Sequence, residues 1–204
     1  MGVYEQQILP RVIDLMLGGR HMDGVREPAL VGLHGEVLEL GFGSGPNVPL
    51  YPAEVTKVYA VDPAVVGRRL AAKRVAASPV PIEYVGLDGE DLPLEDESVD
   101  CVLSTWTLCT IPDVDRALLE VRRVLRPGGG LFFLEHGLSQ DPAIARRQHR
   151  FTPVQKKIAG GCHLDRDIDA LVRASGLQVE RLSRFAIKGP KTASAMYCGV
   201  ARKA

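Results

Sequence analysis

The chain has 204 residues, 46% hydrophobic and 25% charged, which is enough for one domain with a single buried core and no need of disulfides or metals. Twenty-five Lys and Arg balance twenty-five Asp and Glu, so no bulk field draws the protein onto nucleic acid or anionic lipid. No apolar run approaches the roughly 20 residues of a membrane span, and the stretch 12–17, interrupted by Asp14, is too short for a secretory signal; a cytoplasmic protein without stable membrane insertion, monomeric or homodimeric, is expected.

In chain order, residues 3–17 place Ile8, Val12, Leu15 and Met16 at helical spacing, with Pro10 expected to end or kink an early turn and Gly18-Gly19 to close the segment. Residues 36–40 read as a buried strand running into Gly41-Phe42-Gly43-Ser44-Gly45, and residues 57–61 as a second strand ending at Asp62-Pro63. Residues 64–77, rich in Ala, Leu, Lys and Arg, predict a helix. Strands follow at 82–85 and 100–104. Asp113 is expected to cap a helix carrying Val114, Leu118, Val121 and Leu125, which Pro127-Gly128-Gly129 stops. A fifth strand at 131–134 leads into a polar segment from Ser139 to Gly161, and Asp165 is expected to cap a helix ending at Gly176. The last two strands, 178–183 and 195–201, have no helix-length segment between them and are expected to pair as a hairpin at the sheet edge. This alternation predicts an α/β fold with a parallel sheet covered on both faces. Residues 1–34 then form a helical cap, 35–136 the cofactor-binding core, and 137–204 a substrate-side segment with the C-terminal strands.

The strongest chemical signal is the turn from Glu39 to Gly45. Its glycines let the backbone reverse sharply and approach a ligand with amide groups forward, and an acid about twenty residues on, Asp62, is placed to accept from both hydroxyls of a ribose. Together they point to an adenosine-type cofactor. The spacing is G-x-G-x-G, not the G-x-G-x-x-G that seats a pyrophosphate, and no Tyr-x-x-x-Lys pair is present. Gly189-Pro190-Lys191-Thr192 lacks the glycine spacing and the helix of a phosphate loop. Nicotinamide and nucleoside triphosphate are both disfavoured.

The segments 37–45, 61–63, 88–93, 98–100 and 123–129 resemble class I S-adenosylmethionine-dependent methyltransferases in order and spacing, over about residues 30 to 140. The resemblance implies a Rossmann-like, seven-stranded, mostly parallel sheet with an antiparallel last strand. It also implies S-adenosylmethionine as cofactor, S-adenosylhomocysteine as product, and a site drawn from Tyr4, Glu39, Gly41, Gly43, Gly45, Asn47, Asp62, Pro63, Asp88, Gly89, Glu90, Thr105, Trp106 and Leu108. The three glycines form the methionine-side loop, Asp62 binds the ribose, Asp88 and Gly89 hold the adenine, and residues 105–108 floor the sulfonium. Phe42 departs from the small or polar residue usual in that loop. Residues 4–10, 107–113, 135–137 and 159–164 further resemble a bacterial group related to the animal small-molecule thiol methyltransferases and, more distantly, to ubiquinone/menaquinone C-methyltransferases. A thiol acceptor follows as an expectation. The animal enzymes carry an N-terminal hydrophobic anchor; this sequence shows no comparable run.

His136, after the fifth strand, and His163, in a glycine-rich loop, are the candidate catalytic residues, each read either as a substrate or proton-transfer group or as a histidine bonded to a neighbouring loop. Cys109 is read as buried filler. The four cysteines contain no CxxC, and Cys162-His163 has no second pair nearby, so no metal is expected. Arg146, Arg147, Arg150, Lys156 and Lys157 form either a solvated helix face or a contact for an anionic substrate. The expected function is in-line methyl transfer to a small, lipophilic acceptor, with thiols favoured over quinols and aminolipids. A Rossmann-like oxidoreductase and a non-catalytic S-adenosylmethionine-binding module are the alternatives.

Overall fold

A computed structural model of the chain describes residues 4–63 and 65–204. Residues 3 and 64, the first positions of two expected helices, lie outside the described residues. Seven strands, β1 (Gly35–Leu40), β2 (Val55–Val61), β3 (Ile82–Gly86), β4 (Val99–Thr105), β5 (Leu125–His136), β6 (Gln178–Ala186) and β7 (Ala195–Arg202), form one sheet of order β3-β2-β1-β4-β5-β7-β6. β7 runs antiparallel to both neighbours, and the other strand pairs are parallel. The last two strands pair as expected, but β7 is inserted beside β5 and only β6 forms the edge. The strand order reverses between β1 and β4, the topological switch where ligands of open α/β sheets bind.

Alternation along the central strands sorts side chains to two apolar layers. Leu38, Val102, Leu131 and Phe133 enter one core with Ile168, Val172 and the buried stripe Leu118 and Val121. Val37, Cys101, Leu103, Phe132 and Leu134 enter the other, with Ala29 and Leu30. Helices α1 (Leu9–Leu17), α2 (Asp23–Leu30), α3 (Val65–Ala76), α4 (Val114–Val124), α5 (Pro142–Ile158) and α6 (Ile168–Ala174) surround the sheet. No helix among the described residues is long and apolar enough to cross a membrane.

Several boundaries differ from expectation. A π-helical turn, Tyr4–Ile8, gives way next to Pro10 to α1, whose first turn takes the proline without losing an intrahelical hydrogen bond. α2 lies within residues 1–34 but has no separate signal in the sequence; Gly24 and Pro28 weaken its propensity, and burial of Arg26, Ala29 and Leu30 holds it. The polar segment after β5 contains a 17-residue helix, α5, capped by Asp141 accepting from the Ala143 amide at 2.7 Å. Its only buried side chains are Gln148 and Thr152, so no apolar stripe marks it in the sequence. Asp113 caps α4 as expected, at 3.0 Å from the Arg116 amide. α6 is capped by Asp167, not Asp165; the Asp165 carboxylate pairs with His149 at 3.0 Å. Pro127-Gly128-Gly129 lies inside the start of β5, which follows α4 without a loop.

Candidate active site at the carboxyl ends of the strands

After β1 the chain turns through Gly41, Gly43 and Gly45, with φ of 68°, 55° and 71°, a region where side-chain-bearing residues are strained. A Cβ at Gly41 would lie 1.9 Å from Thr107 Oγ1, so the turn passes against the end of β4 only because this residue is glycine. At Gly43 the situation differs: a Cβ would meet nothing nearer than 3.8 Å and would fill open space beside the Asp62 carboxylate. That carboxylate, buried at the end of β2, accepts from the Gly43 amide at 2.7 Å. Gly67 of α3 lets the helix press on the turn, since a Cβ there would sit 2.8 Å from the Gly43 carbonyl oxygen. Phe42 points away from this opening. It is fully buried and packs edge-on against Tyr84, ring centroids 5.5 Å apart.

Behind the turn lies a buried polar network. Asn47 Nδ2 donates to Glu39 Oε1 and Thr105 Oγ1, both at 3.0 Å, and Tyr51 donates to Glu39 Oε2. Arg26 reaches in from α2, donating to Asn47 Oδ1 at 3.0 Å, Thr105 Oγ1 at 3.2 Å and the Leu17 carbonyl at 2.9 Å. Burial pushes Glu39 up to about 7 despite the bonds from Tyr51 and Asn47 and the charge of Arg26. The same burial lowers Arg26 to about 10, which leaves it a cation at neutral pH. Arg26 also lies 4.6 Å from the Trp106 ring centroid, and Trp106 itself adopts a φ of 52°. Glu39 and Asn47 thus both lie inside this buried network. A second tie joins α1 to it: Ser44 Oγ donates to Asp14 at 2.5 Å, while Arg74 donates to Asp14, the Ser44 carbonyl and the Gly18 carbonyl.

The remaining expected cofactor residues are spread along the rim. Pro63 and Asp88 are exposed, and Asp88 accepts from the Glu90 amide at 2.8 Å. Glu90 in turn accepts from the Asp113 amide at 2.9 Å, linking this loop to the start of α4. A Cβ at Gly89 would touch Leu40 and Ile111 at 3.5 Å, so the loop lies over the end of β1. Tyr4 is exposed and is not part of the network behind the turn; its hydroxyl donates to the Ile158 carbonyl at 2.7 Å, at the end of α5.

On the other side of the crevice, Glu135 of β5 holds the floor. Its Oε1 accepts from Ser104 Oγ at 2.7 Å and from the Thr107 amide at 3.0 Å, with Leu108 buried beneath. His136 is buried, and its Nε2 lies 2.8 Å from Cys162 Sγ, which is 3.9 Å from Cys109 Sγ. The Cys109 contact and burial both push the Cys162 thiol up, which favours its neutral form. His163 is half-buried on the adjoining loop, and its amide donates to the Cys109 carbonyl at 2.8 Å. Burial lowers its pKa, with Arg166 and Lys156 acting in the same sense. Nearby, Ile8, Val12, Leu15 and Met16 around α1 and Phe151, Val154 and Ile158 on α5 are all exposed, Leu15 by 80%. The segment before α1 and the start of α1 meet the end of α5 and the turn after it, through Tyr4 on the Ile158 carbonyl and Leu9 against Gly160.

The sequence reading missed Arg26, Arg74, Tyr51, Glu135 and Gly67 as site residues. Arg26 and Arg74 lie in stretches without a motif, where an arginine reads as surface. Glu135 carried a readable signal, a carboxylate inside an otherwise apolar strand.

The sequence model of the methyltransferase domain family matches residues 38–133, from β1 into β5. The chain is 39% identical over 145 residues to thiol S-methyltransferase TMT1B of Homo sapiens, a match covering 68% of this chain and 59% of that protein. It is 28% identical over 159 residues to the phosphatidylethanolamine N-methyltransferase of Cereibacter sphaeroides, covering 71% of each. The chain thus spans less than two thirds of the length of the thiol methyltransferase it matches. Among solved structures, an S-adenosylmethionine-dependent methyltransferase from Thermotoga maritima superposes with a TM-score of 0.66 at 21% identity, covering 99% of this chain and 98% of that one; this likeness speaks for the fold. Sheet order, domain match and relatives agree: the chain belongs to the class I S-adenosylmethionine-dependent methyltransferases.

Proposed function

We propose that the protein methylates a small lipophilic thiol, with S-adenosylmethionine as methyl donor. The observation that carries the cofactor assignment is the opening at Gly43, where a glycine amide fixes the buried Asp62 carboxylate beside a space that any side chain would fill. In this reading Gly41, Gly43 and Gly45 hold the methionine portion, Asp62 with Pro63 the ribose, and Asp88, Gly89 and Glu90 the adenine. Thr105, Trp106 and Leu108 form the floor, and Tyr4 borders the acceptor entrance. Glu39, Asn47 and Arg26 keep the turn rigid from behind. The cofactor supplies an electrophilic methyl group on a sulfonium that is its own leaving group.

The chain's task is then positional. The acceptor atom must be held about 3 to 3.5 Å from the methyl carbon, in line with the departing sulfur, and water kept out. A thiol suits this arrangement because near neutral pH it is already partly thiolate, so His136 and His163 are assigned to the acceptor side without either being asked to take a proton. The thiol itself is favoured by the 39% identity to a protein named as a thiol S-methyltransferase. The lipophilic character is favoured by the exposed apolar side chains of α1 and α5. An aminolipid acceptor is the second reading, favoured by the phosphatidylethanolamine methyltransferase relative and by the exposed Arg146, Arg147, Arg150, Lys156 and Lys157 on α5.

The test is S-adenosylhomocysteine release from the purified chain across thiols, quinols and aminolipid vesicles, with cofactor binding followed by calorimetry. Turnover confined to thiols is the expected result. Turnover only on aminolipids or quinols replaces the acceptor and keeps the donor. Absence of cofactor binding overturns the whole reading.

A further inference from the structure

Cys109 from the turn after β4, His136 at the end of β5 and Cys162 from the loop after α5 converge beneath the acceptor side. All three are buried, and their sulfur and imidazole nitrogen atoms lie within 4.8 Å of one another. Four-coordinate Zn2+, with bonds of about 2.3 Å to sulfur and about 2.0 Å to imidazole nitrogen, spaces two thiolates about 3.8 Å apart and a thiolate and an imidazole about 3.6 Å apart. The two sulfurs here are 3.9 Å apart, and Cys162 Sγ is 2.8 Å from His136 Nε2. The sulfur pair is already at the required spacing, and the Cys162–His136 separation needs to open by less than about 1 Å.

We propose that Cys109, His136 and Cys162 form a Zn2+ site with three protein ligands and a fourth position open to water or a small exogenous ligand. The donor chemistry selects the ion: two sulfurs and an imidazole with no carboxylate suit a borderline-soft cation and exclude magnesium or calcium. Among the described residues no fourth His, Cys, Asp or Glu donor joins the group, which leaves the open position typical of three-ligand zinc sites. Without an ion, the Cys162 thiol stands against both the imidazole Nε2 and the Cys109 sulfur, and among the described residues the ring's buried Nδ1 has no partner. On metal binding both thiols lose their protons to solvent, and two thiolates neutralise the dication, so no net charge is buried.

The backbone builds the site in advance. Gly160 and Gly161, with φ of 58° and 85°, turn the chain inward after α5. The Cys162 amide then donates to the Ala159 carbonyl at 3.1 Å, and the His163 amide to the Cys109 carbonyl at 2.8 Å. A bound ion would pin this loop to the ends of β4 and β5, next to the floor that Glu135 holds.

The experiment needs no acceptor and no turnover, so it stands or falls separately from the methyl-transfer reading. The full chain, purified under reducing conditions without chelator and passed through gel filtration, is assayed for zinc by elemental analysis; a parallel sample is loaded with Co2+ for absorption spectroscopy. One zinc per chain and a near-ultraviolet thiolate-to-cobalt band with tetrahedral visible bands are expected. Cys109→Ser and Cys162→Ser should weaken metal affinity by more than about 100-fold, beyond what losing an outer-shell partner costs. Cys101→Ser and Cys198→Ser, at the buried cysteines outside the cluster, should each retain one metal. Should a cluster variant fail to fold, the sulfur-to-cobalt band of the wild-type chain still decides. Absence of that band, zinc that persists in a Cys109→Ser Cys162→Ser double variant, or a Cys109–Cys162 disulfide found by mass spectrometry in anaerobically isolated protein would each overturn the proposal.

Discussion

The glycine-turn side of the crevice centres on a local backbone contact, the Gly43 amide reaching Asp62 across 19 residues, with a polar network of Glu39, Asn47, Arg26 and the more distant Thr105 behind it. The acceptor side joins segments far apart: Cys109 and Cys162 are separated by 53 residues, Tyr4 and Ile158 by 154. Among the described residues it leaves His136 Nδ1 and Glu135 Oε2 buried without partners, as Arg26 Nε is on the first side, and it alone sets a row of apolar side chains in solvent. The first side is a backbone device whose shape admits little change. On the second, identity of side chains on helices and loops decides what fits. Donor binding should therefore break abruptly on single substitutions, while acceptor preference should shift by degrees.

The sharpest break is expected at Gly41. Alanine there combines a strained φ with a Cβ 1.9 Å from Thr107 Oγ1, a cost of about 2–4 kcal/mol. Thermal unfolding should fall accordingly, and calorimetry should show S-adenosylmethionine affinity reduced more than about 100-fold. Gly43→Ala is the control that separates shape from stability. Its Cβ meets no atom within 3.8 Å, so the fold should tolerate it, with about 1 kcal/mol lost to φ, while cofactor binding fails because the opening is filled. If Gly41→Ala bound cofactor normally, the idea of a rigid turn would be wrong.

This contrast also explains what could be read from the sequence. The glycines, Asp62 and the strand alternation were legible because each rests on local backbone demands: positive φ, a strand end, a two-residue period. The antiparallel pairing of β6 with β7 was legible from their short connection and the antiparallel last strand by resemblance, but the place of β7 beside β5 was not, since insertion of a hairpin strand depends on pairing that no local pattern encodes. α5 was hidden because its buried contacts are Gln148 and Thr152. The Cys109–His136–Cys162 cluster was invisible for a related reason: metal-type spacing was sought within short stretches, and these ligands meet only after β5 and the loop beyond α5 fold together. Glu39 was read as part of a ligand-binding motif; that it is fully enclosed follows from Tyr51, Asn47 and Arg26, which only tertiary structure brings to it.

Enclosure of Glu39 gives the next largest effect. An ordinary glutamate in the unfolded chain titrates near 4.5, and burial holds this one at about 7. The folded state binds its proton more tightly, so the stabilisation is complete below pH 4.5 and is lost as pH rises through 7. Denaturant unfolding of the cofactor-free chain should show stability declining by about 3 kcal/mol from pH 5 to pH 8 through this group. Glu39→Gln should flatten that slope while keeping the Asn47 contact. An unchanged slope in the variant would place the titration elsewhere. Asp62→Asn follows in size: it preserves shape and removes charge, and should weaken cofactor binding by about 1.5–3 kcal/mol. Wild-type affinity in that variant would sink the ribose assignment.

The smallest effect falls on the acceptor side and bears most directly on the comparison. Phe151 and Val154 are 50% and 56% exposed on α5, so Phe151→Ser and Val154→Ser should change stability by no more than about 0.5 kcal/mol. If these side chains receive the acceptor's apolar part, each loses roughly 1 kcal/mol of contact with a long-chain thiol. KM for such a thiol should then rise about fivefold, with kcat unchanged, because the lost contact is the same in the ground and transition states. A short, polar thiol never reaches these residues and should show no change. Equal losses on both acceptors would mean that the substitutions disturb the floor or the loop, not an apolar entrance. No loss on either would mean that the exposed apolar face serves something other than the acceptor, and the two sides of the crevice would then differ in construction without differing in how they tolerate change.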